Sequence, residues 1–156
     1  MQVKETIGAG LVATSLMTAF SYAVSAMERE NFKEPALLTL FVKRSTAIRN
    51  PLVNSIGWPV HYGLGIVWAG VYTFWTERLQ DKASAKQALL FGVFSGTVGV
   101  IVWRAMFRMH PHPPKTAYPE FYLQLFVAHI LFALSLAKTY TILKQKNSSS
   151  SLSRFD

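Results

Sequence analysis

The sequence predicts an all-α membrane protein: a bundle of four transmembrane helices with an interfacial amphipathic helix between spans one and two. Three observations predict it. Four apolar runs each approach the roughly 20 residues that a helix needs to cross a bilayer. The 16 Lys and Arg and eight acids of the 156-residue chain lie mostly between those runs. The chain is 51% hydrophobic yet carries a formal net charge of +8, as expected where lipid replaces water as the solvent of the middle. The length suits one domain, residues 1–143, followed by a polar tail, 144–156.

The first span covers residues 7–27. Lys4 ahead of it and Val24-Ser25-Ala26 near its end imitate a secretory signal. Its length and its hydroxyls favour a retained membrane helix. Gly10, Thr14, Thr18, Ser21 and Ser25 are spaced four, four, three and four apart and so share one face. Such small-residue stripes let helix backbones approach in lipid. A hydroxyl-lined conduction path is the functional alternative for the same stripe.

Glu28, Arg29, Glu30, Lys33 and Glu34 then form a mixed-charge collar. Pro35 suits the first turn of a helix over residues 35–49. Leu37, Leu38, Phe41 and Ile48 supply its apolar residues, and Lys43, Arg44 and Arg49 a basic face. This helix either lies at the membrane interface or caps the bundle.

The second span, 56–75, carries His61 near its start and places Gly63 and Gly70 on one face. A short charged connection leads to the third span, 87–107, where Gly92, Gly96 and Gly99 form a second small-residue stripe continuing to Trp103. The next connection, HPHPPKTAYPE, holds four prolines between Pro111 and Pro119 and is stiff and non-helical. The fourth span, 121–143, carries His129. The Ser-rich tail is expected to be disordered.

Orientation is balanced on charge. Lys4, Arg78, Lys82, Lys86, Lys138, Lys144, Lys146 and Arg154 lie on one side, and Arg29, Lys33, Lys43, Arg44, Arg49, Arg104, Arg108 and Lys115 on the other. The basic groups of the short second connection and of the tail lie tight against the membrane, which favours both termini in the cytoplasm. The basic residues form no dense patch, so no nucleic-acid partner is expected. The expected partners are membrane lipids, other membrane subunits or a second copy.

A histidine inside a membrane helix is costly unless partnered. His61 and His129 are each followed eleven residues later by a tyrosine, Tyr72 and Tyr140. With the alternation of small-residue and histidine-bearing spans, this spacing points to two parallel repeats. Spans two and four start from one side, where span three ends. A polar mouth is expected there from His61, Arg104, Arg108, His110, His112, Glu120, Tyr122 and His129.

Several chemistries fit that mouth. Arg104 and Arg108, four apart on one helical face, suit an anion or a lipid head group, with His129, Tyr122, His61 and Glu120 beside them. His61 and His129 on facing helices suit haem as the alternative to a protein without cofactor. His110 and His112 on a rigid extended segment suit a metal, with Glu120 and either membrane histidine. The structural alternative is snorkelling arginines and histidines bonded between helices. A small transporter or channel is a further alternative. No nucleophile elbow, zinc-protease, P-loop or dinucleotide motif occurs. The lack of cysteine excludes disulfides, iron–sulfur clusters and thiolate zinc. Enzymatic activity is not expected.

The segments GAGLVATSLMT, HYGLGIVWAGVY and HILFALSLAKTY, with the glycine-rich third span, together resemble small four-helix bacterial inner-membrane proteins of unassigned function. The resemblance covers most of residues 5–143. It implies a helical bundle in a bacterial inner membrane and carries over no catalytic residues. The HPHPP connection has no counterpart in that pattern.

Overall fold

A computed structural model describes residues 2–45, 51–78 and 84–152. These form five α-helices, a short 3-10 turn at Pro51–Ser55 and no strand. Helix α1 is Val3–Glu28, α2 Glu34–Ser45, α3 Gly57–Arg78, α4 Ala85–Met109 and α5 Tyr118–Leu152. Ile48, Arg49, Lys82 and Arg154, given roles above, lie outside the described residues.

The long helices α1, α3, α4 and α5 run up, down, up and down. Small residues set the α1–α3 and α4–α5 contacts. A Cβ at Gly65 would lie 1.9 Å from Thr14 Oγ1, and one at Gly10 would lie 2.9 Å from the Ala69 Cβ. Along the same seam Thr6 meets Thr73 and Thr18 meets His61. Between α4 and α5, a Cβ at Gly92 would lie 2.8 Å from the Ile130 Cα. One at Gly96 would lie 3.0 Å from the Phe126 ring. Both expected stripes are therefore contact surfaces. In α3 the contact is made by Gly65; Gly63 and Gly70 have nothing within 4 Å. The threonine hydroxyls of the first stripe turn back onto their own helix. Thr14 and Thr18 each donate to the carbonyl four residues earlier at 2.7 Å.

The outward faces are apolar. Val60, Leu64, Val67, Val71 and Phe74 are exposed along α3, and Leu11, Leu16, Ile101, Val102, Leu123 and Ile142 on the other helices. Hydroxyls and small residues inside with branched aliphatics outside is the arrangement that lipid, not water, favours. Among the described residues, α1, α4 and residues 118–147 of α5 are long and apolar enough to cross a membrane. Helix α3 has 22 residues, but Trp, Tyr, Gly, Pro59 and His61 dilute its hydropathy.

Arg29, in the left-handed region at φ 56°, ends α1 and turns the chain. Helix α2 then folds across the end of the bundle. Its Phe41 packs on the Trp103, Phe107 and His110 rings. Gly57 sits so tightly on α2 that a Cβ there would meet the Pro35 carbonyl oxygen at 1.9 Å. Arg44 donates to the carbonyls of His112 and Pro113, which ties the proline-rich connection to α2.

The sequence expects disorder from Lys144, but α5 continues helically to Leu152. Asn147 donates to Glu5 Oε1 at 2.6 Å, so residues near the two ends of the chain share one end of the bundle.

A candidate ligand cavity inside the bundle

Helices α3 and α4 meet through aromatic rings. Trp68, Tyr72 and Trp75 of α3 pack on Phe91. Towards α2 the two helices enclose a cavity of ≈ 340 Å³ with α1 and α5. Trp68 of that cluster lines it, and α2 contributes Glu34 and Leu38. Leu64, Val67, Val98 and Val102 form its flank. Leu64, Val67 and Val102 are also exposed on the outside, so the cavity opens sideways between α3 and α4.

The lining is apolar except at a few points, among them Glu34, His61 and His129. His61 shares its Nε2 with Thr18 Oγ1 at 2.9 Å. Thr18 already gives its hydroxyl proton to Thr14 O, so His61 Nε2–H donates and Nδ1 carries a lone pair. His129 Nδ1 lies 2.8 Å from Leu125 O. A carbonyl only accepts, so Nδ1 is the protonated nitrogen and Nε2 carries the lone pair. The His129 ring also fills the space beside Gly99, where a Cβ would lie 2.8 Å from Cε1.

Glu34 is the residue that the sequence reading missed. Within the charged collar nothing distinguishes it. The turn at Arg29 brings it inside, where it is 1% exposed. Ser21 Oγ donates to its Oε1 at 2.7 Å, and Gln124 Nε2 donates to Ser21 Oγ at 2.6 Å. Among the described residues, Glu34 Oε2 and Gln124 Oε1 are buried without a partner. Burial pushes the Glu34 carboxyl up to about 7, against the hydrogen bonds from Ser21 and Gln124 that pull it down.

The expected mouth residues divide into two groups. His61 and His129 line the cavity. Arg104, Arg108 and Glu120 are exposed, and Tyr122 is half-buried against Phe107 and Tyr118. Tyr122 and His129 do share the face that α4 covers, but at different levels. His110 engages both ring nitrogens, Nε2 with Ser45 Oγ and Nδ1 with the His112 amide, and His112 is exposed. Among the described residues no three His, Asp or Glu groups gather as a metal site.

Tyr72 and Tyr140, each three turns from its histidine, lie beyond the cavity. The buried Tyr72 hydroxyl has no partner, and Tyr140 donates to Glu77 Oε1 at 3.3 Å.

Fold and cavity define an apolar-surfaced helical bundle of the membrane type with a ligand-sized internal cavity. The chain belongs to DUF6789, a family of unknown function whose model matches residues 1–151. No curated protein and no solved structure matches it.

Proposed function

We propose that this chain is a non-enzymatic integral membrane protein that binds a small lipophilic molecule in the cavity between α3 and α4. The single observation that carries this reading is the cavity itself. Its ≈ 340 Å³ lies in the range of small-molecule sites. It is walled by Leu64, Val67, Trp68, Val98, Val102 and Phe132, and it holds few polar groups. Its opening faces the same side as the apolar outer surface, so a ligand reaches it from the lipid phase.

In this reading α3 is the fourth span. Its 22 residues cover about 33 Å at 1.5 Å per residue, and its exposed face is aliphatic from Val60 to Phe74. The bundle sits in a bacterial inner membrane with both termini cytoplasmic. Helix α2 then lies at the opposite interface, where Arg104 and Arg108 reach lipid head groups.

Photolabelling tests the proposal. The protein in phosphatidylcholine nanodiscs is irradiated with a diazirine-bearing octanol, and the adducts are mapped by mass spectrometry. The expected result is saturable labelling of the peptides carrying Leu64, Val67, Val98 and Val102, lost in Val102→Trp, which fills the opening. Uniform, non-saturable labelling of all outward faces would overturn it.

A further inference from the structure

The chemistry of the cavity's ionisable side chains selects among lipophilic ligands. His61 Nδ1 and His129 Nε2 are lone-pair atoms, and Glu34 Oε2 is one when the carboxyl is ionised. The hydrogen bonds described above use the other heteroatom of each group. No cation is among the groups that act on the Glu34 carboxyl. The neighbouring Lys33 has its ammonium over the Tyr22 ring at 5.2 Å. A buried carboxyl with an orphaned oxygen, beside two acceptor imidazoles and no countercharge, is complementary to a cationic donor. Burying a carboxylate and an ammonium together is far less costly than burying either alone.

Building on the cavity-binding reading above, we propose that the cavity's ligand is a lipophilic amine, whose ammonium pairs with the Glu34 carboxylate. An ammonium supplies both the N–H donor that Glu34 Oε2 lacks and the charge that favours the ionised carboxyl. An ionised Glu34 would repel a ligand carboxylate. A neutral alcohol offers one donor and gains no charge pairing. The apolar tail would lie toward Leu64, Val67 and Val102, where the cavity opens.

The test is competition against the diazirine-bearing octanol in neutral phosphatidylcholine nanodiscs, with octylamine, octanol and octanoate. Free concentrations are corrected for partition into empty discs. Wild-type protein is expected to bind octylamine at least about ten-fold more tightly than octanol, the difference a charge-assisted pair commonly supplies. Octanoate is expected to compete worst. Glu34→Gln should abolish the advantage of octylamine over octanol. Equal competition by octylamine and octanol in the wild-type protein would overturn the amine assignment, and this comparison needs no variant. An advantage that persists in Glu34→Gln would overturn the role of Glu34. If the labelled octanol itself does not saturate, the cavity-binding reading fails, which is a separate outcome.

Discussion

The contact between α1 and α3 rests on Gly65, and Gly65→Ala tests that directly. The added Cβ would lie 1.9 Å from Thr14 Oγ1, 3.1 Å from its Cβ and 3.3 Å from its Cγ2. Ordinary contact begins at 3.4 Å, so the hydroxyl or the helix must yield by about 1.5 Å on the steep side of the van der Waals well. Rotating Thr14 away breaks its 2.7 Å hydrogen bond to Gly10 O. Separating the helices loosens the Gly10–Ala69 approach. Overpacking of this kind costs about 1–3 kcal/mol. Gly63→Ala is the internal control, since nothing lies within 4 Å of that position. It should be neutral or stabilising by up to about 1 kcal/mol through helix propensity. Reversible unfolding in mixed micelles, followed by circular dichroism, measures both. Thr14→Ala in the Gly65→Ala background should recover most of the loss, because the closest clash is with the hydroxyl. Equal stability of Gly65→Ala and Gly63→Ala would refute the packing account.

Relative to Glu34→Gln, the ligand-free protein should lose stability as pH rises from 4.5 to about 7. The buried Glu34 keeps its proton up to about 7, whereas the unfolded chain releases it near 4.5. The stabilisation is complete below 4.5 and amounts to about 3 kcal/mol lost by neutral pH. Glu34→Gln should remove this component, and identical pH dependence of the two proteins in unfolding titrations would contradict the burial of Glu34. Phe41→Ala should cost about 3 kcal/mol, within the usual range for a buried aromatic, and free α2 to proteolysis at Lys43 and Arg44. Proteolysis no faster than in the wild-type protein would count against this packing of α2. The sequence has no cysteine, so single cysteines report topology cleanly. Lys43→Cys and Lys115→Cys should react with an impermeant maleimide from one side, and Lys4→Cys and Arg78→Cys from the other. Labelling of Arg78→Cys from the Lys43 side would show that α3 does not cross.

The helices and two of their contact faces were legible because lipid leaves a simple code. Apolar runs mark length, and small residues at helical spacing mark close approach. The stripes from Gly10 to Ser25 and from Gly92 to Gly99 followed that code. In α3 the code was ambiguous, since Gly63 and Gly70 share one face, Gly65 lies on another, and only the position of α1 selects Gly65. Glu34 was illegible for a different reason. A glutamate in the first turn of a helix, among other charges, reads as solvated, and only the reversal at Arg29 carries it against Ser21 and Gln124. The same reversal explains the depth of His61. It lies near the start of α3, but α1 runs ten residues beyond its partner Thr18. The helical course of residues 144–152 was hidden by the serines, whose weak helix propensity favours disorder.

Native mass spectrometry of the protein released gently from its own membrane tests the central claim most directly. A wild-type population carrying a small-molecule adduct that Val102→Trp lacks, at equal thermal stability, is the predicted result. Identical bare masses for both proteins, with no adduct released on activation, would contradict a ligand-binding cavity between α3 and α4.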